Sequence, residues 1–293
     1  MKFYISTILS TKKKLPETIE YLCGAGFRNI ELTGNISYCN NIESVLKEYI
    51  INENCDFLIH NYIPFEAKPY VINLASSNKA IIDKTIIHIK KAVTLLLSIN
   101  RYYYSLHPGY FYDLLPIIQD NFFIKENYRQ NNIVSFYNML LFINEKILKK
   151  NFTLAIENLH PKEKDDTYSF ICTPEDIMRY LQFIRNIPNY GLLLDLGHLN
   201  IASEKLGFNK FHFLDELFSK YSKKIFQIHI SDNNGEKDSH DICSHNSWQI
   251  DYLYHNKNNL SGIPVTMEWS YYWRSSAFKA YQKITDRIYD KLL

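Results

Sequence analysis

"LLLDLGHLN", residues 192–200, decides how this chain is read. Four of its first five residues are leucine, which suits a strand covered on both faces. Asp195 sets a carboxylate inside that apolar run, and Gly197 and His198 follow at once. A carboxylate withdrawn from water is costly unless it is paired or bound to metal. The stretch therefore reads as a buried strand whose end opens onto a site. Gly197 is expected to let the chain turn tightly as the strand ends, which brings His198 to the rim.

The pattern recurs on both sides of this stretch. Short apolar runs at 2–9, 29–34, 55–62, 101–109, 152–159, 190–198, 225–232 and 263–270 are eight candidate strands. Longer segments with apolar residues at three- and four-residue spacing separate them, as in "IIDKTIIHIKKAVTLLL" within 78–98. "TPEDIMRYLQFI" (173–184) carries helix-start signals: Thr173 as cap, Pro174 in the first turn, then two acids. Buried strands alternating with helices predict a parallel sheet covered by helices, and eight such units predict a single (β/α)8 TIM barrel spanning residues 1–293. A doubly wound open sheet is the alternative, but no glycine-rich phosphate loop supports it. The stretch 110–131 reads as an aromatic and polar loop over one face.

The strand ends carry the chemistry. His60 ends the third candidate strand, His107 the fourth and Glu157 the fifth; Asp195 and His198 end the sixth, His229 lies on the seventh and Glu268 on the eighth. Asp238 and His240 follow on the loop after the seventh. In a barrel, the C-terminal strand ends converge on one mouth, where active sites are built. Carboxylates and imidazoles without Lys or Arg among them suit divalent ions of the zinc, manganese or iron type. His88 and His212 are read as helix-packing or surface residues, His160 as capping a loop, and His245 and His255 as exposed. Asp232 and Asp241 lie near enough to compete with Asp238 for its role.

Composition sets the outer limits. The chain of 293 residues is 46% hydrophobic and 22% charged, ordinary globular usage. A formal charge of +2 neither indicates nor excludes nucleic acid. "TKKK" (11–14) is the tightest basic run and reads as a solvated helix entrance. Five scattered cysteines without a CxxC pattern suggest reduced thiols rather than a disulfide framework. With no apolar run of membrane-spanning length and no signal-like start, a cytoplasmic protein is expected, with no membrane partner.

These residues together resemble the xylose-isomerase-like TIM barrel superfamily, which holds endonuclease IV (AP endonuclease family 2) and sugar phosphate isomerases and epimerases. The carriers are "IELTG", "IHNY" with "YVINLAS", "SLHPG", "AIENLHP", "LLLDLGHLN", "IHISD" with "DSH", and "TMEWS". The resemblance implies one ion on Glu157, Asp195, His229 and Glu268, the set used by isomerases and epimerases. Endonuclease IV adds ligands for three zinc ions, and those positions are also filled here. By that resemblance His60, His107 and Glu157 hold one ion, and Glu157 bridges to a second held with Asp195, His229 and Glu268. His198, Asp238 and His240 hold the third. Glu157, Glu268 and His198 carry the catalytic roles.

Two departures weigh on the substrate. "IPFEAKPYVI" (63–72) is a long insertion, and with 110–131 it is more like barrel proteins that accompany surface-carbohydrate biosynthesis. "ISYCNNIE" (36–43) lacks the basic residues that would track DNA phosphates. The reading is therefore a metal-dependent hydrolase of a phosphoester, with up to three zinc ions, or manganese or iron in their place. Its substrate would be abasic DNA or a smaller phosphorylated or nucleotide-linked molecule. A sugar or sugar-phosphate isomerase or epimerase is the alternative, and a non-catalytic barrel the third.

Overall fold

The computed structural model describes residues 1–34, 36–67, 70–115, 123–124, 133–162, 169–270 and 274–289. Eight parallel strands run in chain order: β1 (Lys2–Ser6), β2 (Asn29–Leu32), β3 (Asp56–Ile59), β4 (Tyr103–Leu106), β5 (Thr153–Glu157), β6 (Tyr190–Asp195), β7 (Ile225–Ile230) and β8 (Pro264–Met267). They pair in the order β3-β2-β1-β8-β7-β6-β5-β4, so the two outer strands of the sheet are consecutive in sequence. That seam is joined at its C-terminal end by a parallel bridge between His60 and Ser105, where the Asn61 N–H donates to the Ser105 carbonyl at 2.8 Å. The result is a nearly closed (β/α)8 barrel, as the alternation of strands and helices predicts.

Among the described residues, nine helices surround it: α1 (Leu15–Cys23), α2 (Ile42–Glu53), α3 (Lys79–Ser98), α4 (Ile133–Lys146), α5 (Pro174–Ile184), α6 (Leu196–Leu206), α7 (Lys210–Tyr221), α8 (Trp248–His255) and α9 (Arg274–Tyr289). The Thr173 cap acts as read, accepting from the Asp176 N–H at 3.1 Å to start α5. Asn78, which the sequence reading did not single out, accepts from the Ala80 N–H at 2.9 Å to start α3. "TKKK" is exposed ahead of α1. Leu192, Leu194, Ile228 and Val265 of the strands share one buried layer with Leu181, Leu214 and Leu253 of the helices. Truncating any of these leucines to alanine would cost about 2–5 kcal/mol.

Two expectations change in detail. The sixth strand stops at Asp195 rather than continuing to His198, and α6 begins at Leu196. The reason is local: one Asp195 oxygen accepts the His198 N–H at 2.6 Å, so the carboxylate caps the helix and ends the strand. Within the expected loop 110–131, Leu114–Leu115 pairs antiparallel with Phe123–Ile124; residues 116–122 and 125–132 lie outside the described residues. Residues 68–69 of the insertion at 63–72 also lie outside them. The cysteines are free thiols, with Cys23 and Cys55 sulfurs 3.4 Å apart.

Candidate metal centre

Parallel strands all point their C-terminal ends at one mouth, and the ligand-type residues sit there. Glu157 and Asp195 are the last residues of β5 and β6, His229 lies near the end of β7, and His60, His107 and Glu268 follow β3, β4 and β8 directly. His198 is in the first turn of α6, and Asp238 and His240 come from the loop after β7. His60, Glu157, Asp195, His198, His229 and Glu268 are buried, although none is apolar.

The side chains gather into overlapping groups whose candidate ligand atoms lie within 4.8 Å of one another. The first is His60, His107 and Glu157; the second is Glu157, Asp195, His229 and Glu268. Glu157 belongs to both. Its Oε2 lies 3.1 Å from His60 Nε2 and 3.2 Å from His107 Nε2, and its Oε1 lies 3.6 Å from His229 Nδ1. His229 Nδ1 is also 3.1 Å from Glu268 Oε2 and 3.8 Å from Asp195 Oδ2. Around Asp238, His198 Nε2 lies 3.2 Å and His240 Nε2 3.0 Å from the same Oδ2. A third group of mutually close atoms is His160, His198 and Asp238, and a fourth is Glu31, His60 and His229. His160 thus comes to the centre where a loop cap was expected, and His240, expected beside His198 and Asp238, approaches Asp238 without joining the mutually close set.

Two features show that these residues fit divalent ions. Glu157 Oε2, Asp195 Oδ2 and Asp238 Oδ1 are buried without a hydrogen-bond partner, and imidazole nitrogens lie close to the first two. Atoms that converge without hydrogen-bond geometry share a point between them. The histidine tautomers also agree. His198 Nδ1 donates to the Asn158 carbonyl at 2.8 Å and His240 Nδ1 to the Glu268 carbonyl at 3.1 Å, which leaves each Nε2 as the lone-pair nitrogen facing Asp238. His60 Nδ1 is 3.0 Å from the Ser105 hydroxyl, with Nε2 facing Glu157. Outer hydrogen bonds of this kind orient metal ligands.

Three residues of the centre escaped the sequence reading. Glu31, on β2, is fully buried inside the barrel. It accepts from Gln227 Nε2 at 2.7 Å and from the Thr266 hydroxyl, and both its oxygens lie 3.2 Å from His229 Nε2. The carboxylate therefore sits behind His229, opposite the ligand nitrogen. Asn158 clamps the Asp195 backbone on both sides, accepting from its N–H at 2.8 Å and donating to its carbonyl at 3.0 Å. His160 is the third, its ring centroid 5.0 Å from that of His198. The signal for Glu31 was present in "NIELTG", an acid within an apolar strand, the same pattern that marked Asp195.

The remaining readings resolve locally. Gly197 does not form a tight turn; it is the second residue of α6, where a Cβ would lie 2.3 Å from Ser231 Oγ. His198 is buried rather than on the rim. His88 packs inside, its Nε2 2.9 Å from the Asn61 carbonyl, whereas His212, His245 and His255 are exposed. Asp232 and Asp241 pair backbone to backbone and accept from Ser247 and Ser239 at 2.7 and 2.6 Å.

Without ions, the centre balances its charge with protons. Burial alone would lower His198 and His229, but Asp195 and Asp238 hold the first well above its ordinary value, and Glu31 and Glu268 do the same for the second. His240 is raised to about 9 against burial by Glu268 and Asp238. Glu157 is held well below the usual range by His60 and His107 despite burial, and Glu268 falls to about 2 beside His229 and His240. Asp195 is the exception: desolvation raises it to about 7.

Comparison with known proteins follows from this geometry. A family model described as the xylose isomerase-like TIM barrel matches residues 24–270. No curated protein matches the chain by sequence. Among solved structures, a D-tagatose 3-epimerase-like protein is similar over 100% of both chains, at 20% identity and a TM-score of 0.74. A 3-keto-D-glucoside 4-epimerase from E. coli is similar over 97% of this chain and 99% of its own, at 13% identity and a TM-score of 0.68. Endonuclease IV from Thermus thermophilus is similar over 99% of this chain and 100% of its own, at 11% identity and a TM-score of 0.63. At these identities the likenesses speak to the fold.

Proposed function

This chain belongs to the xylose isomerase-like TIM barrel family, and from that premise we propose that it is a divalent-metal-dependent enzyme that hydrolyses a phosphoester. The observation that carries the reading is the third cluster. A single ion on Glu157, Asp195, His229 and Glu268 leaves His60 and His107 on one side, and His198, Asp238 and His240 on the other, without a shared purpose. Nine residues, His60, His107, Glu157, Asp195, His198, His229, Asp238, His240 and Glu268, would hold up to three ions. Zinc is the ion proposed, and manganese and iron suit the same donors.

Ions bound there would stabilise charge on phosphoryl oxygens and acidify a water. The chain's own residues do the rest. Glu157 presents one oxygen to each side of the centre and fixes the spacing of the two inner groups. Gln227, Glu31, Thr266 and Tyr103 close the floor of the barrel with hydrogen bonds, Tyr103 donating to Gln227 at 2.6 Å, which keeps water from entering from below. In this reading Glu268, the most exposed member of the second group, would accept the proton that the attacking water loses. In this reading His198 acts as a ligand, its Nε2 turned to Asp238 at 3.2 Å.

A direct test is ion stoichiometry followed by turnover of bis(4-nitrophenyl) phosphate and of a duplex with one abasic site. More than one ion per chain, with metal-dependent release of nitrophenol, supports the reading. A single ion, or no phosphoester turnover at full loading, refutes it. A second reading, sugar isomerase or epimerase, is favoured by one observation: Glu157 and Glu268 face a common space in the second group, as a proton shift between adjacent carbons needs. Incorporation of solvent tritium into ketoses such as D-tagatose would select it.

A further inference from the structure

We infer that the cavity beside Asp238 is a subsite for a phosphate carried by a compact substrate, recognised by Lys162, Lys205 and Lys237. The inference deepens the phosphoester reading and rests on it for its place next to the reacting group. The cavity is about 510 Å³ and is lined by His160, Lys162, Lys205, Glu236, Lys237 and Asp238. Three separate parts of the chain supply the ammonium groups: the loop after β5, the last turn of α6 and the loop after β7. Two other cavities lie along α3 and include none of the candidate ligands, whereas this one includes Asp238 and His160 of the third group.

Among the described lining residues, three lysines face two carboxylates. Of the two carboxylates, Asp238 is committed to His198 and His240 at 3.2 and 3.0 Å. Glu236 is exposed and accepts from Asn234 at 3.4 Å. Lys205 donates to the carbonyls of Pro161 (at 3.3 Å) and Lys162, which fixes the wall of the cavity without neutralising its charge. The Lys237 ammonium has no partner among the described residues. His160 Nδ1 donates to the Pro161 carbonyl at 3.2 Å, so its Nε2 remains an acceptor suited to a hydroxyl of the same ligand. Three ammonium groups around one space suit a phosphate, for which lysine acts as a point charge. On the side of β2 the segment 36–43 contains no Lys or Arg, so basic residues on this side receive one anionic group rather than follow a DNA backbone.

The test is titration of the metal-loaded protein with inorganic phosphate, compared with Lys237→Gln and with Lys162→Gln/Lys237→Gln. Lys205 is left intact because it anchors the wall. Each lysine removed should weaken phosphate binding by about tenfold. Lys237→Arg, which keeps the charge, should retain most of the affinity. Unchanged affinity in the double variant, with the same thermal midpoint as the parent, would place the phosphate at the ions alone and overturn the inference. The hydrolase reading fails separately: if the variants lose phosphate but no phosphoester is ever turned over, the subsite stands and that reading falls. If the double variant instead binds phosphate normally and loses only abasic duplex, the compact-substrate inference falls.

Discussion

Glu31→Gln tests whether the floor of the barrel sets the metal centre above it. His229 turns Nδ1 toward Glu268 at 3.1 Å and Nε2 toward both Glu31 oxygens at 3.2 Å. For Nδ1 to act as a ligand, Nε2 must carry the proton and donate it to Glu31. Glutamine keeps the shape but offers one acceptor oxygen, where Gln227, Thr266 and His229 need three bonds accepted. A hydrogen bond to a charged partner is worth about 1.5–3 kcal/mol and a neutral one about 0.5–1.5. The difference of about 1–2 kcal/mol corresponds to roughly 5- to 30-fold weaker binding of the ion on His229. The metal-free fold should respond as well. There Glu31 is the first of the two carboxylates that hold the buried His229 above its ordinary value, so its loss should cost about 3–5 kcal/mol of stability. Competition against a chromophoric chelator gives the affinity, and urea unfolding of the chelated protein gives the stability. Metal affinity within threefold of the parent would falsify the positioning role.

Protonation provides an independent check. His240 is raised from 6.5 to about 9, so its contribution to the metal-free fold is complete below pH 6.5 and lost as pH rises through about 9. Asp195, raised from 3.8 to about 7, acts in the same sense, its contribution fading as pH rises through about 7. Glu268, lowered from 4.5 to about 2, contributes above pH 4.5 and is lost as pH falls through about 2. Chelated protein should therefore have its highest melting temperature near pH 4–5 and lose it steadily toward pH 9, while bound metal flattens the alkaline side; a midpoint that climbs from pH 6 to 9 without metal contradicts the scheme. Gly197→Ala would drive a Cβ to 2.3 Å from Ser231 Oγ, at a cost of about 1–3 kcal/mol. Adding Ser231→Ala should recover most of that loss in urea unfolding, and no recovery would place the strain elsewhere. Asn158→Ala would unpair the buried N–H and carbonyl of Asp195, costing about 2–4 kcal/mol and weakening the ion held by Asp195; intact stability would show that other groups take over the clamp.

Much of this architecture could be read from the chain because burial on both faces makes parallel strands uniformly apolar. Against that background Glu157, Asp195, His229 and Glu268 stand out by type alone. The ends of the strands were less legible. The helix start at Leu196 depends on one hydrogen bond from the His198 N–H to Asp195, and the leucines around it suit strand and helix equally. Glu31 was visible as an acid in an apolar run, but its target, His229, lies 198 residues away. Only the order of strands around the barrel brings β2 and β7 to face each other across the interior. His160 presents the converse difficulty: the proline after it suggests a loop, which is correct, yet the loop folds over the mouth and carries the ring to His198.

Without ions, the imidazoles of the centre are held toward the protonated form by the carboxylates around them. Glu31, Glu157, Asp195, Asp238 and Glu268 supply five carboxylates, and His198, His229 and His240 are three imidazoles held above their ordinary values by them. Desolvation raises Asp195 toward retaining a proton of its own. Metal binding should then release protons, and its affinity should rise steeply with pH. One Asp195 oxygen is fixed by the His198 N–H at 2.6 Å, and the other is buried without a hydrogen-bond partner. The carboxylate that interrupts the leucine run of β6 thus starts a helix with one oxygen and offers the other to the site.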